Sequence, residues 1–79
     1  MTRQEALRLL EETLEMKRGS LQGGEDLRDL EAWDSLATMA FIAEVDKRLG
    51  LPLPPGRVAR CQTTDDLLDL LAPRPSAAA

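Results

Sequence analysis

The sequence predicts an all-α fold, a small helical bundle held together by aliphatic side chains. Two observations carry this. Of the 79 residues 43% are hydrophobic but only 3% aromatic, so leucine, valine, isoleucine and methionine must build the core, as suits a helical bundle. Separate segments also pair a capping residue with apolar residues at helical spacing. A core of this size supplies only about 3–5 kcal/mol unless it is well packed or stapled. No staple is available. Cys61 is the only cysteine and there is no histidine, so neither an internal disulfide nor a common zinc-ligand set can form, and no metal site is expected.

Thr2 to Glu5 reads as a capping box, and Leu7, Leu10 and Leu14 follow at spacings of three and four. A first helix from about 3 to 17, stopped by Gly19, is the expectation. Residues 19–33 are glycine-rich and charged, a long loop that Leu21, Leu27 and Leu30 could pin to the bundle. Asp34 is a good N-cap for a second helix from Ser35 to Leu49, ended by Gly50. The run "GLPLPPG" forces an extended or turning path and leaves room for a short helical turn around Arg57 to Arg60. Thr63 or Thr64 caps a last helix, with Asp65 and Asp66 favourably placed in its first turn and Leu67, Leu68, Leu70 and Leu71 as its apolar face. Residues 1–72 form the domain, and the tail 73–79, "PRPSAAA", is expected to be disordered.

At about 100° per residue, Thr38, Phe41, Ile42, Val45 and Leu49 share one face of the second helix, the stripe a core requires. Phe41, Val45 and Leu49 are expected to pack against Leu7, Leu10 and Leu14 and against Leu67 and Leu71. Leu36, Met39, Ala40 and Ala43 gather on nearly the opposite face. Either the long loop or the short third helix covers this second stripe, or a partner docks there. Glu44 and Asp46 flank it, and Lys47 extends it.

The formal net charge of −4 argues against a phosphate-binding surface, so no nucleic-acid partner is expected. Residues 25–34 hold five acids against one arginine, while Arg57 and Arg60 make a small basic spot. The N-terminal "MTRQEALRLL" has no apolar run long enough for a signal peptide or a membrane span, and a cytoplasmic location is the default expectation.

Ser35, in "EAWDSLATMA", sits where the polar loop gives way to the second helix. A serine nucleophile needs a base, and the chain offers no histidine. The two lysines do not substitute: Lys47 lies about three turns along the same helix, out of reach. Two readings of Ser35 stay open on position alone. It caps the helix, or it accepts a modification from another enzyme at a helix start whose amides and dipole favour a phosphate.

Asp34-Ser35-Leu36, the apolar helix behind it, "LGLPLP" at 49–54 and "TTDDLLDLL" at 63–71 together resemble the acyl carrier protein family, over roughly residues 5 to 71. The resemblance implies a four-helix bundle with a short third helix, and no catalysis of its own. It implies that a phosphopantetheinyl transferase, using coenzyme A and magnesium, esterifies Ser35 with 4′-phosphopantetheine. The thiol of that arm then holds an acyl or aminoacyl group as a thioester for partner enzymes. In this reading Asp34 helps position the transfer, and Leu36 and Met39 make apolar docking contacts, with Ala40, Ala43, Glu44 and Asp46 around them. The implied partners are the transferase, an acyl or aminoacyl ligase, and a downstream acyltransferase or synthase; a monomer is expected.

The sequence departs from the family in places. Ala32 stands where many carriers have glycine, followed by Trp33; Ala37 and Ala40 stand where many fatty-acid carriers have acids, with Lys47 and Arg48 further along. These point away from a housekeeping fatty-acid synthase and toward a dedicated biosynthetic pathway. Trp33 either shields the base of the arm or anchors the loop. Cys61 reads as a small core residue near the third helix. The competing class is an unmodified helical interaction module that docks through the second helix, with Ser35 only a cap.

Overall fold

The computed structural model describes residues 2–71, so the expectation for the tail at 73–79 lies outside the described residues. Among these described residues four helices follow one another: α1 (Arg3–Thr13), α2 (Ser35–Leu49), α3 (Pro55–Ala59) and α4 (Thr64–Leu71), with one 3-10 turn at Leu27–Asp29 inside the long loop. Helix α1 packs against α2 and α4, and α3 lies against α2.

The capping box at the start of α1 forms as expected. The Thr2 N–H donates to Glu5 Oε1 at 2.9 Å, and the Glu5 N–H donates to Thr2 Oγ1 at 3.1 Å. The end of α1 differs from the expectation. The helix stops at Thr13, four residues short of 17, because Glu15 takes a left-handed conformation (φ 56°). The Met16 N–H donates to the Glu11 carbonyl at 2.8 Å and the Glu15 N–H to the Glu12 carbonyl at 3.1 Å. That pair of bonds is a Schellman motif, which satisfies the carbonyls at the helix end without glycine at the turning position.

The loop beyond it is tied down by two glutamates. Glu11, a buried residue, accepts from the N–H groups of Gly19 at 3.0 Å and Leu21 at 2.9 Å, both on Oε2. Leu21 and Leu27 are then buried, and Leu30 packs partly against the core. Glu25 accepts from the N–H groups of Gln22 at 2.8 Å and Gly23 at 3.0 Å, and from the Thr64 hydroxyl at 2.7 Å. Backbone bonds from Leu27 to Gln62 and from Thr64 to Glu25 complete the seam between the loop and α4.

Helix α3 begins earlier than expected, at Pro55. Proline breaks a helix interior but fits its first turn, where no N–H partner is needed. Thr63 settles the capping of α4. Its Oγ1 accepts from the Asp66 N–H at 3.2 Å, and Asp66 Oδ2 accepts from the Thr63 N–H at 3.1 Å. Arg3 ties α1 to α4 by ion pairs to Asp65 and Asp69, each 2.7 Å.

The expected core residues Leu7, Leu10, Leu14, Phe41, Val45, Leu67 and Leu71 are all buried, and Ala6, Leu9, Leu53, Val58 and Leu68 join them. Leu49 does not: it is 36% exposed, at the last position of α2 before Gly50 turns the chain away. Leu53, from the extended segment that follows, is buried instead.

Candidate functional site

The site is built at the start of α2, where the loop enters the bundle. Trp33 anchors that entry: its ring meets Phe41 edge to face, with centroids 5.9 Å apart and planes at 73°. Since Phe41 is fully buried, the residues just before α2 are fixed to the core. Of the two roles open to Trp33, anchoring is the one this contact serves.

Asp34 is the N-cap. Its Oδ1 accepts from the Ala37 N–H at 2.8 Å, and its carbonyl accepts from the Thr38 N–H at 2.9 Å and the Thr38 hydroxyl at 2.9 Å. Ser35 is exposed at the first position of the helix, and its hydroxyl makes no hydrogen bond to any other described residue. The capping work is thus done by the aspartate alone. The amides of Ser35 and Leu36 also lack partners among the described residues, and they open the positive end of a fifteen-residue helix. An exposed hydroxyl beside free amides is suited to carry a phosphate ester.

The second apolar stripe of α2 stays uncovered by the rest of the described chain. Leu36 is 80% and Met39 69% exposed, and Ala40 and Ala43 are exposed beside them. The flanking acids behave differently from each other. Glu44 is half-buried and holds Arg48 at 2.9 Å, and Arg48 also reaches Glu12 of α1 at 2.8 Å. Asp46 is exposed, as are Lys47, Arg57 and Arg60. Cys61 lies away from this face, partly packed against the core, and burial pushes its thiol pKa up.

Sequence reasoning missed one wall. Thr13, Leu14 and Glu15 line an open cleft of about 370 Å³ with Ala32, Asp34, Leu36, Ala37 and Ala40. The early end of α1 brings those three residues to the site, and only the left-handed Glu15 creates that end. Among the described residues, no helix is long and apolar enough to cross a membrane.

Comparison with known proteins agrees with this geometry. The family model described as the phosphopantetheine attachment site matches residues 4–71. The fold is similar to the solution NMR structure of a holo acyl carrier protein from Geobacter metallireducens, with a TM-score of 0.72 and 24% sequence identity. That match covers 90% of this chain and 83% of the other. A search of curated proteins finds no match. The family model spans nearly all of the described helices, and the chain, with a fold like that of an acyl carrier protein, therefore belongs to the phosphopantetheine attachment site family.

Proposed function

We propose that Ser35 is the residue that bears the 4′-phosphopantetheine arm, and that the protein presents acyl or aminoacyl groups to partner enzymes without catalysing their reactions. The observation that supports this most is the division of labour at the start of α2. Asp34 caps the helix, and the next hydroxyl is exposed and unused. A serine kept only as a cap would spend its oxygen on an amide of the first turn.

In the transfer, Ser35 Oγ attacks coenzyme A at the phosphorus that carries pantetheine. The new P–O bond forms as the diphosphate bond breaks, the nucleotide half leaves, and the hydroxyl proton passes to a base of the transferase. Magnesium and that base come with the transferase, since this chain has no histidine to supply one. The residues here would suit the product: the unpartnered amides of Ser35 and Leu36 belong to the helix start that would carry the phosphate, and Asp34 caps that turn. The thiol of the bound arm supplies the thioester linkage to the cargo.

Partner enzymes dock on the exposed stripe of Leu36, Met39, Ala40 and Ala43, with Glu44 and Asp46 at its edge. Ala37 and Ala40 bring no charge to this face, and Glu44 is already engaged by Arg48. Docking by a ligase or an acyltransferase therefore relies on apolar contact more than on ion pairs, which suits a dedicated biosynthetic pathway and a modest dependence on salt.

The experiment is incubation with coenzyme A, magnesium and a broad-specificity phosphopantetheinyl transferase, read by intact mass. One added phosphopantetheinyl group is expected. Ser35→Ala blocks the addition while leaving thermal unfolding within about 2 °C, because an exposed side chain with no partner is lost. Wild-type protein left unmodified by several such transferases would favour an unmodified interaction module that uses the same stripe.

A further inference from the structure

The charge along the exposed edge of α2 is set from within the chain. Glu44 and Arg48 stand four residues apart, the order and spacing that let a carboxylate and a following base meet across one helical turn. Arg48 Nε holds Glu44 Oε2 at 2.9 Å, and Arg48 Nη1 holds Glu12 Oε1 of α1 at 2.8 Å. A planar guanidinium has donors pointing in more than one direction, so a single side chain serves both carboxylates. The three side chains line an opening of about 230 Å³ with Thr13 and Ala40. They therefore border the apolar stripe of Leu36, Met39, Ala40 and Ala43 on its α1 side.

We propose that Arg48 is a specificity-determining residue for docking on α2, a reading that rests on the carrier role proposed above. By engaging Glu12 and Glu44 it withholds both carboxylates from the basic groups of a partner, and it does so more than three turns away from Ser35. The remaining charges of α2 act in the same direction. At about 100° per residue, Lys47 lies in line with Leu36, Ala40 and Ala43, and it is exposed with no ion pair among the described residues. Asp46 is exposed too, but it sits about 160° round the helix from Glu44, on the opposite rim. A partner that approaches from the α1 side thus meets alanines, two engaged carboxylates and a lysine. The partner this surface fits presents an apolar groove whose wall on that side is neutral or acidic.

A tie between α1 and α2 is the other role open to these ion pairs. The side chains of Glu44, Arg48 and Glu12 are 34%, 46% and 59% exposed, and ion pairs that wet contribute little to stability. The two helices are already packed together around a buried core. What the ion pairs change is the charge that α2 presents. Without Arg48, two uncompensated carboxylates would stand beside Ala40.

The test measures steady-state modification, with coenzyme A and magnesium, by a phosphopantetheinyl transferase chosen for a strongly basic carrier-binding surface. Arg48→Gln should lower KM for the carrier about fivefold at low salt with kcat unchanged, the effect of freeing two exposed carboxylates for a basic partner. High salt should erase that gain. Arg48→Lys keeps a positive charge beside Glu44 and should stay near wild type. Arg48→Gln combined with Glu12→Gln and Glu44→Gln should return KM to the wild-type value. Urea unfolding checks that each variant is folded under assay conditions, as changes at exposed side chains allow. An unchanged KM in Arg48→Gln, or a gain that survives high salt or the loss of both glutamates, would overturn the assignment while leaving the attachment at Ser35 intact. A broad-specificity transferase that adds no group to the wild type, read by intact mass, would take down both.

Discussion

Glu11 stands on the same face of α1 as Leu7 and Leu14, and it is 3% exposed. A carboxylate in that position costs free energy unless its oxygen is satisfied, and it is: one oxygen atom takes the N–H groups of both Gly19 and Leu21. Glu11→Ala leaves those amides without an acceptor and is expected to destabilise the domain by about 2 kcal/mol in urea unfolding. Glu11→Gln keeps an oxygen acceptor and should lose about half as much, since only the charge assistance goes. Equal losses for both variants would mean that the loop is held by Leu21 and Leu27 alone. The sequence reading passed over this position, although it lies four residues after Leu7 on the leucine face. Its partners were not legible, because they lie eight and ten residues away in a loop with no periodicity. Ser35 shows the same limit. Its place at a helix start could be read, but Asp and Ser are comparable caps, and only the bond from Ala37 to Asp34 shows which one serves.

The starts of α1, α2 and α4 were the legible part of the elements, because their signals are local: Thr2 with Glu5, Asp34, and Thr63 with Asp66 all cap as their side chains allow, whereas α3 starts at Pro55 with no side-chain cap to mark it. Helix ends depend on what the chain must do next. Gly50 at φ 63° ends α2 with the residue type that turn favours. Glu15 holds the same left-handed region with a side chain that disfavours it, so nothing in the sequence marked the end of α1. The left-handed conformation costs an L residue about 1–2 kcal/mol, whereas glycine adds about 0.5–1 kcal/mol of unfolded-state freedom. Glu15→Gly should therefore stabilise the protein by roughly 0.5 kcal/mol and raise Tm by about 2–4 °C in a domain of this size. A lower Tm would mean that the Glu15 side chain contributes contacts that outweigh its backbone strain.

At the scale of the whole molecule, the loop and α4 hold one another through Glu25, and this makes the fold sensitive to acid. Partial burial pushes the Glu25 carboxyl pKa up, but the N–H of Gln22, the Thr64 hydroxyl and the N–H of Gly23 outweigh it and leave the pKa below the ordinary 4.5. Asp66 is lowered as well, by the N–H groups of Gln62 and Thr63. A carboxylate with a lowered folded-state pKa contributes fully above its ordinary value, and the contribution is lost as pH falls through the lowered one. Urea midpoints measured from neutral pH to about pH 3 should therefore fall at the acid end. Glu25→Gln should lower stability at neutral pH and flatten that fall. An unchanged acid limb in the variant would place the sensitivity elsewhere. The edge-to-face pair of Trp33 and Phe41 makes such measurements direct. The chain has one tryptophan and no tyrosine, so its near-ultraviolet absorbance and emission come from Trp33. That indole sits two residues before Ser35 and against the most buried ring of the core, so unfolding exposes it and shifts its emission to the red. If Ser35 bears the arm as proposed, attachment there should alter the surroundings of the indole without exposing it, and so change emission intensity more than colour. The one tryptophan would then serve as an unlabelled optical reporter, a red shift marking unfolding and an intensity change alone marking the proposed modification.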